Sequence, residues 1–196
     1  MSSMIPITLD YETQKMCVAA GFTRAMAYER QYEGKTTKRN WHVEKNRITF
    51  MEFVSVQADS AAAECVVAYY RGIKDFIPKF DTFRDVADVA DNIEVKHTRH
   101  KSGHLIIFPD DRPGDVAVLV VGQMPQYFIA GWMPIPMIQV PKYKVEAQGN
   151  YWVNQSDLFE MRYFEKSNYA SNSAWVQAMQ EDYKTAYTRC NWQTAA

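Results

Sequence analysis

From Ile93 to Lys96 the chain alternates strictly, with apolar Ile93 and Val95 interleaved with Glu94 and Lys96. Successive side chains of a strand point to opposite faces. The pattern therefore predicts a strand with Ile93 and Val95 in the core and Glu94 and Lys96 together on the other face. Two strand rises would separate their Cα atoms by roughly 6.5–7 Å. One divalent cation, or a water bound to it, could touch both. The plainer reading of the same spacing is a solvated, salt-bridging face.

Helical spacing dominates the first third of the chain. Val18, Phe22 and Met26 recur on one face of a segment in which Thr8 is the expected N-cap and Gly34 the expected end. A second helix is predicted within residues 49–72, with Ala58, Ala61, Ala62, Cys65 and Tyr69 as its apolar stripe and Glu64 at the stripe's border. Pro78 bars a regular helix in the stretch that follows. Strands are then expected at 93–98, 104–108, 116–122 and 127–132, the third being the aliphatic run Val116–Val121. The cluster PDDRPGD reads as a β-hairpin turn between the second and third of them, and Gly103 and GQMPQ mark the other reversals. Three prolines make the segment after Trp132 loop or edge, and NYWVNQSDL suggests a late strand with Asn154 or Ser156 capping a short turn. KSNYASNS looks like a linker. It leads to a last helix, from about Ser173, carrying Trp175, Met179, Tyr183 and Ala186 on one face.

That order predicts an α+β fold, a mixed or antiparallel central sheet flanked by helices. Residues 1–165 are expected to form one domain, and 166–196 a linker with an accessory helix. The apolar stripe of that helix must be covered, either by its own core or by a second copy in a homodimer; the homodimer is slightly favoured.

Composition narrows the class. The chain has 196 residues, 47% hydrophobic and 23% charged, enough for one domain with a sizeable core. Lys and Arg number 22 against 23 Asp and Glu, so bulk charge does not advertise a nucleic-acid partner. Local charge does. Lys35–Arg47 holds Lys35, Lys38, Arg39, Lys45 and Arg47 against Glu44 alone, with Trp41 among them. Lys96–Lys101 adds a second basic cluster with His97, Arg99 and His100. Cations interleaved with an aromatic suit phosphate contact and base stacking, although either stretch alone also reads as a solvated loop. Cys17, Cys65 and Cys190 are isolated, which argues for a reducing compartment and against structural zinc. No signal-peptide pattern is visible, and the longest aliphatic run is too short to span a bilayer, so a soluble, intracellular protein is expected.

A helix acid (Glu64), an Asp-rich turn (Asp85, Asp88, Asp91) and a strand reading Glu94-x-Lys96 follow one another in that order. The arrangement resembles the PD-(D/E)xK, or restriction-endonuclease-like, superfamily of nucleases. From about Ile48 to Phe164 the wording is similar to mostly uncharacterised bacteriophage-encoded members of that group. The parallels are SAAAECVVAYYRG, DTFRDVADVADNIEVKHT, GHLIIFPDDRPGDVAVLVVG, FIAGW and YWVNQSDL. Ala87 stands where the family places proline. The resemblance implies a restriction-endonuclease-like core and hydrolysis of DNA with Mg²⁺ or Mn²⁺. It implies Asp88 and Glu94 as metal ligands, Lys96 positioning the attacking water, and Glu64 as an outer or second ligand. The choice among Asp85, Asp88 and Asp91 stays open, with Asp88 the best match. Lys38, Arg39, Trp41, Lys45, Arg47, Arg99 and Lys101 are the expected DNA contacts. The setting implied is host cytoplasm or the virion. An inert member of the same fold, binding nucleic acid or a host protein, is the alternative.

Overall fold

The computed structural model describes residues 4–31, 49–80 and 86–171. The basic stretch Lys35–Arg47, Asp85, Cys190 and the helix predicted from about Ser173 lie outside them.

Two helices of 21 residues each come first after a short strand. Strand β1 (Ile5–Thr8) precedes α1 (Tyr11–Gln31), and α2 (Phe50–Tyr70) follows. The strand takes Thr8, so Thr8 is not the cap expected from the sequence. Asp10 caps the helix instead, its Oδ1 accepting the Thr13 N–H at 2.7 Å. Strand β1 escapes a sequence reading because it is four residues long and holds Pro6. Proline is tolerated there because β1 is an edge strand. Helix α2 starts on a capping box, in which Thr49 accepts from the Glu52 N–H and the Glu52 side chain accepts from the Thr49 N–H.

The face on which α1 packs also differs from expectation. Val18 and Phe22 are 46% and 49% exposed, while Cys17, Ala20 and Ala25 are buried. Small residues win this face because the helices approach closely. A Cβ on Gly21 would lie 2.6 Å from the Ala58 Cα. The expected stripe of α2 is buried except for Tyr69, which is half-buried, and burial extends around the helix through Ala63, Glu64, Val66, Val67 and Ala68. Helix α2 is sandwiched between α1 and the sheet, so its middle is buried all round and its charged residues there, Asp59 and Glu64, are paired with Arg99 and Arg24.

The central sheet is mixed, in the order β1-β5-β4-β2. Strand β2 (Ile93–Thr98) runs parallel to β4 (Val116–Gln123), which pairs antiparallel with β5 (Gln126–Pro134). A bulge between Leu119 and Val120 shifts the register. It lets Ile129 and Trp132, three positions apart, both join the helix-side core. The architecture is α+β, as the element order implies.

Strand β3 (Leu105–Ile107) does not form the expected hairpin with β4. It pairs antiparallel with β7 (Asn150–Val153) in a separate sheet, ordered β3-β7-β6, that includes β6 (Lys144–Val145). A Pro/Asp/Gly cluster reports that the chain turns, but not that the strands on either side share hydrogen bonds. Leu105, Ile107 and Val153 from this sheet build a second core against Ala117, Leu119 and Val121 of β4. Short helices α3 (Ile135–Ile138), α4 (Met161–Phe164) and α5 (Asn168–Ser171) complete the described fold.

The boundary expected at residue 165 falls within packed structure. Ala170 is buried, the Asn92 Nδ2 donates to the Tyr169 carbonyl at 3.0 Å, and the Tyr169 ring lies 6.0 Å from Trp132. A polar-looking stretch hid one aromatic and one alanine that the core uses. Among the described residues, no helix is long and apolar enough to cross a membrane.

Candidate active site

The turn before β2 decides where Asp88 goes. Val89 and Ile93 exchange both backbone hydrogen bonds, at 3.1 and 3.2 Å, and Ala90 takes up a left-handed conformation at φ 53°. That conformation is uncommon for a residue with a Cβ, and it folds the chain back on itself within three residues. Asp88 is carried alongside β2, and its Oδ2 accepts the Val95 N–H at 2.8 Å. Asp91 sits exposed at the tip of the turn. Of these two aspartates, Asp88 is the one beside Glu94.

Glu94 and Lys96 do share a face, as alternation requires. The Lys96 Nζ lies 2.6 Å from the Glu94 Oε1 and 3.5 Å from the Asp111 Oδ2. Burial disfavours the Lys96 ammonium, but the charges of Glu94 and Asp111 outweigh it and hold its pKa above the ordinary lysine value. Asp111 is a buried carboxylate that the sequence reading assigned only to a turn. Its Oδ2 also accepts the Phe108 N–H at 2.7 Å. The signal was present in the two consecutive aspartates of PDDRPGD, but their turn propensity concealed it.

Glu64 approaches from α2 and is buried against Arg24 of α1. The two guanidinium nitrogens donate to both carboxylate oxygens, at 2.7 and 2.8 Å. Arg24 also donates through Nε to the Lys79 carbonyl at 2.8 Å, and the Lys79 Nζ donates to the Ala87 carbonyl at 3.0 Å. A chain of contacts thus runs from α1 to the backbone beside Asp88. Arg24 was invisible as a functional residue because it sits in a helix whose packing face was read differently. Both Glu64 oxygens are taken up by Arg24, so direct ligation of a cation by Glu64 would require that pair to open.

The electrostatics tie these groups together. Burial, then the charges of Glu94 and Glu64, push the Asp88 carboxyl up to about 8. Burial raises Glu64 as well, opposed by Arg24. Burial also raises Asp115, where Arg112 opposes it and Glu94 and Asp111 add to it. Carboxylates from a helix, a turn, a strand and a loop therefore act on one another, with Lys96 among Glu94, Asp111 and Asp88 and Lys79 acting on Glu64. Crowding of this kind occurs at functional sites and also in structural ion-pair networks.

The donor set is hard oxygen, which suits Mg²⁺ or Mn²⁺. Asp88 and Glu94 are the residues that would hold such an ion. Among the described residues, however, no group of three or more His, Cys, Asp or Glu side chains is gathered closely enough to hold a metal.

The expected DNA contacts divide. Lys38, Arg39, Trp41, Lys45 and Arg47 lie outside the described residues. Lys101 is exposed at the end of β2. Arg99 has protein partners of its own. Its Nε donates to Asp59 at 2.6 Å and a terminal nitrogen donates to the Ser55 Oγ at 2.6 Å, fastening β2 to α2. Asp59 is buried and also accepts from the Tyr127 hydroxyl and the Met124 N–H, so it needs the guanidinium charge. His97 points to the helix side, as alternation predicts, where its Nε2 lies 2.9 Å from the Gly122 carbonyl and its ring meets Tyr127. Cys17 and Cys65 are buried free thiols 3.7 Å apart. No protein-family model matches the chain, and comparison with curated proteins and with solved structures returned no match.

Proposed function

We propose that this chain is a Mg²⁺- or Mn²⁺-dependent nuclease that hydrolyses DNA phosphodiester bonds on a restriction-endonuclease-like core. Its setting would be the cytoplasm of a phage-infected host. The observation that carries the reading is the meeting of Asp88, Glu94 and Lys96, with the pKa of the Asp88 carboxyl raised by burial and then by its acidic neighbours. A parallel β2–β4 pair beside an antiparallel β4–β5 pair, with α2 packed against the sheet, supports the same core.

A bound cation would supply charge neutralisation at phosphorus and a more acidic water. The residues of the chain do the rest. The turn at Ala90 and the Val95 N–H orient Asp88. Glu94 and Asp111 hold the Lys96 ammonium as a fixed point charge beside the position a phosphate or its attacking water would take. Arg24 pairs with Glu64 and opposes the effect of burial on its carboxyl.

Two observations favour a second reading, an inert nuclease fold that binds nucleic acid or a host or virion protein. Glu64 is closed off by Arg24, and Lys96 is drawn onto Glu94.

Incubating the purified protein with supercoiled plasmid, linear duplex and single-stranded DNA separates the two. Cleavage should need Mg²⁺ or Mn²⁺ and stop with chelator. Glu94→Gln and Lys96→Ala should each lower the rate by about 100-fold or more while leaving the circular dichroism spectrum unchanged. Binding without cleavage under every condition supports the inert reading. Cleavage at the wild-type rate in both variants would place the activity elsewhere.

A further inference from the structure

Beside Lys96 and the end of β2, a cavity of about 560 Å³ opens against the face of β3 and β7 that is turned away from β4. Its size lies within the range of about 300–1,000 Å³ typical of small-ligand sites. Lys96, His100, His104, Ile106, Phe108 and Trp152 are among its lining residues. Ile106 and Trp152 are register partners across β3 and β7, so they present adjoining surfaces. The indole is held in one orientation: its Nε1–H donates to the Asn150 Oδ1 at 2.8 Å, and its ring lies 5.3 Å from that of His104. At the other end, Phe108 and Lys96 are joined through Asp111, which accepts the Phe108 N–H and lies 3.5 Å from the Lys96 Nζ. The cavity and the carboxylate cluster therefore share a wall.

The lining combines flat apolar surface with imidazole edges and one fixed cation. An anion alone would make no use of Trp152, Phe108 and Ile106. An aliphatic ligand would strip water from the imidazoles without replacing their hydrogen bonds. A nucleobase satisfies both demands, with a π-face for stacking and a polar edge for the imidazoles, and its phosphate would reach Lys96. A base inside a continuous duplex is buried in its stack and cannot enter such a cavity.

We propose that this cavity receives an unstacked nucleobase, so that the substrate of the neighbouring site is single-stranded or locally unpaired DNA. The inference rests on the nuclease reading for its substrate, and it names the form of DNA that reading leaves open.

Fluorescence anisotropy in chelator, where no cleavage competes, tests it with three probes. These are a labelled oligothymidylate, an abasic strand of equal length and charge, and a paired duplex. The intact strand should bind more tightly than the duplex, and about tenfold more tightly than the abasic strand. Trp152→Ala and His104→Ala should weaken the intact strand by a similar factor and leave the abasic strand unchanged, while Trp152→Phe retains most of the wild-type affinity. Equal binding of intact and abasic strands by the wild-type protein overturns the proposal, and that arm needs no variant to fold. Variants that weaken both strands equally overturn it too.

The nuclease reading fails separately. Base-dependent binding with no cleavage on adding Mg²⁺ or Mn²⁺ refutes hydrolysis and leaves the base site standing. Equal cleavage of duplex and single strand, with no effect of removing the bases on binding, refutes the base site alone.

Discussion

Asp88 is held in a surrounding that disfavours its charge, on a turn whose Ala90 has a left-handed backbone. Its carboxyl titrates at about 8 in the fold, against an ordinary value near 3.8. A raised folded-state pKa means that folding favours the protonated form. The stabilisation is complete below about pH 4 and is lost as pH rises towards 8. Asp88→Asn keeps an oxygen for the Val95 N–H and removes the charge. In chelator the variant should gain about 1–2 kcal/mol over wild type at pH 8 and little at pH 4.5, by urea unfolding at both values. The same variant should lose cation-dependent cleavage. Equal stability of variant and wild type at pH 8 would mean that the crowding of carboxylates is relieved by solvent.

Between elements, the closest constraint is the crossing of α1 and α2. Gly21 faces Ala58 so closely that an added Cβ would overlap backbone, which a rotamer change cannot relieve. Gly21→Val should cost about 1–3 kcal/mol, or more if the helices cannot separate, read from the urea midpoint. The crossing also carries Arg24 to Glu64, so separating the helices should impair activity as well as stability. A substitution at exposed Val18 on the same helix should stay within about 0.5 kcal/mol. Stability that changes at Val18 and not at Gly21 would reverse the assignment of the packed face.

For the whole molecule, the end of the folded unit lies beyond residue 165. The Arg71 guanidinium lies 2.6 Å from Glu165 and stacks on Phe164, and Tyr169 and Ala170 pack next in sequence. A chain ending at Ser171 should therefore retain more thermal stability than one ending at Glu165, which uncovers Trp132 and leaves Asn92 without the Tyr169 carbonyl. Equal melting temperatures for the two would show that this segment is not part of the core. Comparing the full chain with the 171-residue form by light scattering tests whether the Trp175/Met179/Tyr183 face pairs two copies. The basic stretch Lys35–Arg47, if it contacts phosphate, is tested at this scale too. Neutralising Lys38, Arg39, Lys45 and Arg47 together should reduce the slope of log K against log salt by about 0.9 for each duplex phosphate that is no longer neutralised. An unchanged slope would make the stretch a solvated loop.

Local pattern by itself determined the elements with a strong period: β2 to the residue, the aliphatic β4, the stripe of α2, and Glu94 and Lys96 on one face. Each depends on neighbours two to four positions away, which a sequence displays directly. Tertiary structure alone decided the partners. It paired β3 with β7 rather than β4, turned small residues of α1 inward, and tied Arg99 to Asp59. It also brought Arg24, Glu64, Asp88 and Asp111 around the Glu94–Lys96 pair from separate parts of the chain. Those outcomes depend on which surfaces meet and how closely, and on a left-handed alanine that no turn signature announces. A motif read along the chain could name four of the charged groups, Glu64, Asp88, Glu94 and Lys96, but not Arg24 or Asp111. The cost of placing them side by side, and the cavity next to them, exist only once the sheets have packed.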